Sequence, residues 1–427
     1  MDKTTQTQII KLIHQEVIPA IGCTEPVAVA LAAAKAAEVL GCKPEKTEVF
    51  LSANILKNAM GVGIPGTGMV GLPIAIALGT LIGKSAYGLE VLRDLTPEAL
   101  AEGKQVIEDK RIHIALKENV DKLYIEVVCS AGNETSRVII CHEHTNIVYV
   151  EKNGAVLTDR RKEGVACDAS DDEGELRLSF STVYEFAMEM PLDEIRFILK
   201  TADLNRKAAE ASLKGNFGHT VSKTVSGAYG RKYMGDSAYT HMLAMTAAAC
   251  DARMDGAMIP VMSNSGSGNQ GIACSVPLIV YAREMELPDY VLYRALVFSN
   301  LLTVYQKQYI GKLSAFCGAV SASCAAGAGI TYMGGGELSV IKKTIENTLA
   351  NIPGIICDGA KISCAAKIAA SLDAAFLAHH LAMNGQSYAP YTGILKEEAG
   401  ETISCVGQIG KEGMKETDKE ILRIMLE

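Results

Sequence analysis

Four cysteines stand where a thiol could bind metal rather than fill a core. Cys23 lies in "IGCTEP", Cys317 in "AFCGAV", and Cys357 and Cys364 lie in "ICDGAKISC". The first three follow turns of glycine or small residues and precede runs typical of helices, and Cys364 begins an alanine-rich one. Helix starts favour negative charge, and thiolates are the soft ligands of iron–sulfur clusters. The four are therefore candidate cluster ligands, although their spacing alone favours buried apolar cysteines.

The composition narrows the class of protein. The 427 residues are 48% hydrophobic but only 5% aromatic, which favours closely packed helices over a β-sandwich. A net charge of -8 argues against a nucleic-acid partner. The opening segment lacks a secretory pattern, so we expect a cytoplasmic protein without structural disulfides. Two uncharged runs, 58–83 and 313–336, are broken by Gly, Pro, Ser or Thr, and we expect no membrane span.

A polar loop is the candidate substrate-binding element. In "SNSGSGNQG", Ser263, Asn264, Ser265 and Asn269 crowd the predicted start of a helix, where free N–H groups attract anions. This composition predicts recognition of a carboxylate or an amino group. The alternative is a flexible loop between buried helices.

Three residues are candidates for moving a proton. His219 is flanked by glycine and small polar residues in "GNFGHTVSK", Glu25 is two residues after Cys23, and Lys312 is five residues before Cys317. Imidazole, carboxylate and amine groups all serve as general bases. Spacing cannot show which of them reaches the reacting carbon, and a hydrogen-bonded core histidine is the alternative for His219.

Two further motifs have weaker functional interpretations. "GVGIPG", residues 61–66, fits a dinucleotide-binding pattern, but "KNAM" separates it from the preceding strand-like run. Close approach of backbone to another group explains these glycines better. "CHEHT", with Cys141, His142 and His144, could suggest zinc, but the sequence offers no nearby partner pair.

The pattern along the chain predicts a mainly α protein with a small α+β lobe. Residues 5–92 have helical periodicity, whereas residues 111–152 alternate as three β-rich runs, which predicts an antiparallel meander. Helical patterns return near residue 191 and continue to the end. We therefore expect a helical catalytic domain of residues 1–94 and 191–427, with residues 95–190 inserted as the α+β lobe.

Taken together, five segments resemble a known enzyme family. They are "IGCTEPVAVA", "GNFGHT", "SNSGSGNQGIACSVP", "FCGAVSASCAAGAG" and "ICDGAKISCAAKIAA". The chain is similar over essentially its whole length to the L-cysteine desulfidases and the α-chain catalytic domain of the iron–sulfur L-serine dehydratases. The resemblance implies an oxygen-sensitive lyase with a [4Fe–4S] cluster held by three cysteines, which leaves one iron open.

The resemblance also implies which cysteines bind the cluster. The family's three ligands fall on Cys23, Cys317 and Cys357, and the serine dehydratases suggest Cys364 as a fourth candidate. Their Ser-Ser-Ser-His-Thr run is replaced here by "IGCTEP", and their final cysteine spacing is longer than seven. These departures place Cys23 in the ligand set and favour cysteine over serine as substrate.

The implied reaction is elimination of sulfide from L-cysteine without pyridoxal phosphate, giving pyruvate and ammonia. An open iron would act as a Lewis acid toward the substrate sulfur. An iron–sulfur L-serine dehydratase remains the enzymatic alternative. A non-catalytic iron–sulfur or amino-acid sensor is the alternative from another class. We expect a small amino acid as the ligand, and a homo-oligomer remains open.

Overall fold

A computed structural model describes residues 1–161, 176–311 and 314–427. Its first α-helices are α1 (Lys3–Glu16), α2 (Thr24–Leu40), α3 (Ala53–Ala59), α4 (Leu72–Ile82), α5 (Pro97–Glu108), α6 (Phe180–Glu189), α7 (Leu192–Ile195), α8 (Leu199–Lys214) and α9 (Val221–Ser226). The remaining ones are α10 (Ala228–Met234), α11 (Ala238–Met254), α12 (Gly268–Glu284), α13 (Asp289–Ile310), α14 (Gly318–Met333), α15 (Leu338–Asn351), α16 (Cys364–Met383), α17 (Ala399–Gln408) and α18 (Lys415–Leu426). Short 3₁₀ turns span Ser85–Glu90 and Arg196–Ile198, and a π-helix spans Ile409–Gly413.

The strands form two sheets. They are β1 (Pro19–Ile21), β2 (Lys46–Leu51), β3 (Ile112–Leu116), β4 (Tyr124–Ala131), β5 (Glu134–Cys141), β6 (Ile147–Lys152), β7 (Ala155–Asp159) and β8 (Pro260–Met262). Strands β1 and β8 pair with each other, and the other six form one sheet in the order β3-β2-β4-β5-β6-β7. The mainly α class with a small α+β lobe is confirmed.

The antiparallel meander is confirmed for β4, β5 and β6, whose registers pair Val127 with Val138 and Val138 with Val150. These valines are buried. They share one face of the sheet, because paired residues of neighbouring strands face the same side and successive residues alternate between sides. The sheet also contains β2, which pairs parallel to β3 and antiparallel to β4. Strand β2 coincides with the strand-like run that precedes "KNAM", whereas its pairing with β3 and β4 was not expected, because residues 5–92 were otherwise interpreted as helical.

The described residues form two large hydrophobic clusters and a small third one on the six-stranded sheet. One large cluster joins α1 to the helices from α6 onward, and the other takes its members from residues 27–150 around the six-stranded sheet. Helices α2 and α4 belong to the second cluster and contact the sheet. The division of the chain at residues 94 and 191 stays a proposal, and this packing favours an earlier start of the lobe, at α2.

The two-stranded sheet was not expected. β1 lies in a segment expected to be helical, and β8 lies where only helices and loops were expected. Its register pairs Pro19 with Met262 and Ile21 with Pro260. Three-residue strands are too short to show an alternating pattern. Their pairing also depends on a partner more than 200 residues away in the chain. The consequence is functional: the sheet fixes the segment before Cys23 beside the loop that begins at Ser263.

Helices in this protein are short or rich in small and polar residues. Among the residues that the structure describes, no helix is both long and apolar enough to span a membrane.

Candidate active site

A cavity of about 90 Å³ collects residues from both parts of the fold. Its wall contains all four candidate ligands and three other predicted residues: Cys23, Cys317, Cys357, Cys364, Glu25, Ser265 and Asn269. These residues come from chain segments more than 300 positions apart. The sequence therefore named side chains that the fold brings to one place.

A short antiparallel bridge joins the two most closely linked cysteines. Phe316 pairs with Ile356, the N–H of Cys317 donates to the carbonyl of Ile355 at 2.8 Å, and the N–H of Cys357 donates to Ala315 at 2.7 Å. The two thiols influence each other: interaction with Cys317 lowers the pKa of Cys357, and interaction with Cys357, together with burial, raises the pKa of Cys317.

Cys23 reaches the same cavity through a strained turn. Gly22 has φ +73°, and a Cβ there would lie 2.3 Å from Cγ of Pro65. Only glycine meets both demands without a shift, since it tolerates the left-handed region and leaves room for the "GVGIPG" loop. The Thr24 hydroxyl then donates to the carbonyl of Gly266 at 2.9 Å. Cys23 is thereby fixed beside the Ser263–Asn269 loop.

Helix starts present three of the four thiols, as the sequence predicted, whereas Cys357 lies in an irregular segment seven residues before α16. Cys23 and Cys317 are the N-cap residues of α2 and α14, and neither thiol caps its own helix in the described structure. Cys364 is the first residue of α16. The N–H groups and dipole of a helix start stabilise a nearby thiolate. Burial, and secondarily Glu25, raises the pKa of Cys23, so this thiol needs a cation to lose its proton.

The spacing of these thiols suits a cluster better than a single ion. Two thiolates on one zinc lie at most about 4.6 Å apart, because each bond is about 2.3 Å. Among the described residues, the only His/Cys/Asp/Glu group of three whose ligand atoms lie within 4.8 Å is Asp121, Cys141 and His142, outside this cavity. Soft donors that share one cavity without converging on one point fit a multi-iron group.

Lys307 places a buried amine on the cavity wall. It is only 5% exposed, and its ammonium has no hydrogen-bond or ion-pair partner within the described ranges. Burial lowers its pKa to about 8, while the facing Cys317 and Cys357 oppose that shift. A lysine of this kind can accept a proton near neutral pH.

Comparison with known proteins decides the family. Residues 86–423 match the family described as serine dehydratase alpha chain. The chain belongs to the serine dehydratase alpha chain family. The resemblance drawn from the sequence is thus confirmed at this level. The matched range contains Cys317, Cys357 and Cys364 but begins after Cys23.

Full-length relatives share the whole chain. A UPF0597 protein of Parabacteroides distasonis is 64% identical over 425 residues, which cover 100% of this chain and 99% of that protein. One from Bacteroides fragilis is 53% identical over 426 residues, with coverage of 100% and 99%. One from Aeromonas hydrophila is 42% identical over 424 residues, with coverage of 99% and 97%. The name UPF0597 states no activity.

In this member of the serine dehydratase alpha chain family, the side chains of the predicted polar loop, residues 263–269, have two different roles. The Ser263 hydroxyl donates to the carbonyl of Ile18 at 2.7 Å, and the Asn264 amide donates to Asn300 at 3.0 Å. These two side chains hold the loop in place. Ser265 and Asn269 line the cavity, although the Ser265 hydroxyl is bonded to Asn264. Their assignment as substrate-binding residues stays a proposal.

The three proton-transfer candidates lie in different places. The Glu25 carboxylate accepts hydrogen bonds from the Cys23 thiol at 3.1 Å and from the Asn58 amide at 3.0 Å, inside the cavity. His219 is exposed and lies outside the cavity wall. Lys312 lies outside the described residues. Of the two candidates that the structure describes, Glu25 lies beside the thiols and His219 does not.

Sequence reasoning missed three side chains of the wall: Lys307, Arg253 and His144. Lys307 continues a buried polar stripe of Asn300 and Thr303 on helix α13, which is the signal that could have found it. Arg253 lies in the alanine-rich helix α11. His144 belongs to the "CHEHT" motif that was weighed for zinc. It turns toward the cavity, whereas Cys141 and His142 lie with Asp121.

A buried ion pair supports the Cys357 segment from behind. Lys57 is 1% exposed, pairs with the carboxylate of Asp418 on α18, and donates to the carbonyl of Cys357 at 3.2 Å. Asn54 donates to the same carboxylate at 2.7 Å. Asp418 on α18 thus neutralises the ammonium group of Lys57, which in turn holds the Cys357 segment in place.

Replacing Asp418 by alanine should lower stability by about 3–5 kcal/mol, because a buried ammonium is left without its carboxylate. The double replacement Lys57→Met with Asp418→Leu should cost much less, since no buried charge remains. Urea unfolding followed by circular dichroism measures both. Glu416→Ala on the same helix, where the Glu416 side chain is 83% exposed, should change little. Equal losses for Asp418→Ala and Glu416→Ala would contradict the role of the pair.

Proposed function

We propose that this protein is an iron–sulfur lyase that eliminates sulfide from L-cysteine to give pyruvate and ammonia. The observation that carries the proposal is the convergence of four thiols with a buried lysine and a buried arginine on one small cavity. Membership of the serine dehydratase alpha chain family supports elimination chemistry on a small amino acid. The preference for cysteine over serine is the finer part of the proposal.

Three thiols would hold the [4Fe–4S] cluster: Cys23, Cys317 and Cys357. Cys23 and Cys317 share the N-cap position, and Cys357 is tied to Cys317 by the short bridge. Cys364 differs, because its sulfur accepts the N–H of Lys361 at 3.5 Å inside its own turn. When bound, the cluster would supply an open iron that acts as a Lewis acid toward the substrate sulfur.

Cysteine suits this site better than serine for two reasons. A thiolate is a softer ligand than a hydroxyl group, so it matches iron more closely. The "IGCTEP" segment also places a thiol and a carboxylate where the serine dehydratases carry a Ser-Ser-Ser-His-Thr run. An iron–sulfur L-serine dehydratase remains the second candidate, supported by the family match.

Lys307 is the residue that we assign to proton removal. It lines the same cavity as Cys317 and Cys357, and burial favours its neutral amine. The amine would take the proton from Cα of the substrate as the C–S bond breaks, so that the bonding electrons leave with sulfide. Aminoacrylate then leaves the site and hydrolyses to pyruvate and ammonia. Glu25 is the other candidate base on the wall.

Anaerobic purification and reconstitution with iron and sulfide test the proposal. We expect absorbance near 400 nm and sulfide with pyruvate from L-cysteine, but little from D-cysteine. Pyruvate from L-serine alone would make the protein a dehydratase. Tight amino-acid binding without turnover would support a sensor. A colourless protein with iron far below stoichiometry would overturn the proposal.

A further inference from the structure

We propose that Arg253 binds the α-carboxylate of the substrate, while the side-chain amide oxygens of Asn58 and Gln270 bind its ammonium group. This inference rests on the proposed function, since it takes an α-amino acid as the ligand. It assigns one end of the cavity to recognition of a zwitterion, apart from the thiols that would hold iron.

Arg253 is a buried cation whose bonding capacity is only partly used. It is 3% exposed, and Nη1 donates to Oδ1 of Asn269 at 3.0 Å. Its Nε is buried and has no hydrogen-bond partner in the part of the chain that the structure describes. A guanidinium group stays charged in proteins and offers five N–H donors. Burying a charge without a counter-ion costs free energy, so binding an anion at Arg253 would be favourable.

The surroundings of Arg253 leave space for that anion. A Cβ at Gly268 would lie 2.3 Å from Nε of Arg253, so the absence of a side chain there keeps the guanidinium group in place. Gly268 begins α12, so the guanidinium group lies beside the first turn of this helix, where N–H groups lack helical partners. A planar fork beside a helix start matches a carboxylate, which accepts two parallel hydrogen bonds from arginine.

Two unpaired acceptors complete the zwitterion site. The amide of Asn58 donates to Glu25, and the amide of Gln270 donates to the carbonyl of Asn264 at 3.3 Å, which fixes the orientation of both groups. Their oxygens, Oδ1 of Asn58 and Oε1 of Gln270, are buried without a partner among the described residues. An ammonium group offers three donors and no acceptor, so it fits these two oxygens and the Glu25 carboxylate.

Cavity size favours a small amino acid as the ligand. A volume of about 90 Å³ favours a short ligand over one with a long or aromatic side chain. Arg253, the two unpaired side-chain oxygens and the thiols line the same cavity. An amino acid whose carboxylate and ammonium groups are both bound would therefore present its β-substituent to the thiols. The chemistry thus selects a short α-amino acid with a sulfur or oxygen at Cβ.

Two small thiol compounds, each carrying only one of the two charged groups of an amino acid, test the assignment. 3-Mercaptopropionate keeps the carboxylate, and cysteamine keeps the ammonium. Binding of each to the reconstituted protein is measured by anaerobic calorimetry, which does not depend on turnover. Arg253→Gln should weaken 3-mercaptopropionate about 10- to 100-fold, the range for hydrogen bonds to charged groups, and change cysteamine less than about twofold. Gln270→Leu should show the reverse pattern.

Iron content and sulfide release complete the test. Both variants should keep the iron of the wild type, and Arg206→Gln, on an exposed ion pair of α8, should bind both thiols normally. If Arg253→Gln is insoluble, Gly268→Ala displaces the same guanidinium group and should give the same selectivity. Equal losses for both thiols, or loss of iron, would overturn the assignment. Selective loss in a protein that releases no sulfide would support the carboxylate site and reject the lyase.

Discussion

Replacing Cys357 by serine should leave the reconstituted protein without its cluster. Sulfide release from L-cysteine should fall by more than about 100-fold, because even the loss of a partner of a metal ligand costs about 10- to 100-fold. Serine keeps the size of the side chain but offers a hard oxygen in place of a soft thiolate. Iron analysis and absorbance near 400 nm, both under anaerobic conditions, measure the effect directly.

The control lies in the helix that starts at Cys317. Cys324 is fully buried in α14, and replacing it by alanine should leave iron content and activity close to the wild type. Cys23→Ser should behave as Cys357→Ser does, whereas Cys364→Ser should keep the cluster. If Cys364→Ser loses iron and Cys23→Ser retains it, the third ligand is Cys364. If Cys357→Ser keeps full iron and activity, the ligand set is wrong.

Replacing Lys307 by methionine should lower kcat for sulfide release by about 10²- to 10⁴-fold, the usual contribution of a general base. Methionine preserves most of the buried volume and removes only the amine. Iron content and the binding of 3-mercaptopropionate should stay near wild-type values, because the thiols and Arg253 are unchanged. Steady-state rates with L-cysteine, together with calorimetry on the same samples, separate chemistry from binding.

An isotope effect distinguishes a base from a structural lysine. With L-cysteine deuterated at Cα, the Lys307→Met protein should show a larger isotope effect on kcat than the wild type, since proton removal becomes the slow step. Glu25→Gln should lower kcat less. A larger loss in Glu25→Gln, with Lys307→Met near wild type, would assign the base to Glu25.

Local signals account for what the sequence predicted of the site. A glycine or small-residue turn before an apolar run marks a helix start, and this placed Cys23, Cys317 and Cys364 correctly. The alternation of residues 111–152 similarly indicated the meander. Such features depend on neighbours within a few residues, so a single sequence contains them.

Long-range pairing accounts for what the sequence did not predict. β1 and β8 are too short to carry a periodic pattern, and the sequence does not show that the strand-like run of β2 pairs with β3 and β4. The unpaired state of Arg253 and of Lys307 depends on which distant groups face them. Neither can be inferred from the residues beside them in the chain.

By itself, the sequence determined the residue types of the candidate site and the local elements that present its thiols. The tertiary structure alone decided which cations share their cavity, that Glu25 faces it while His219 does not, and that Lys57 and Asp418 support it from behind. The physical reason is that burial and electrostatic pairing arise only when distant segments pack together. Those two effects convert an ordinary lysine and an ordinary arginine into chemical groups of a site.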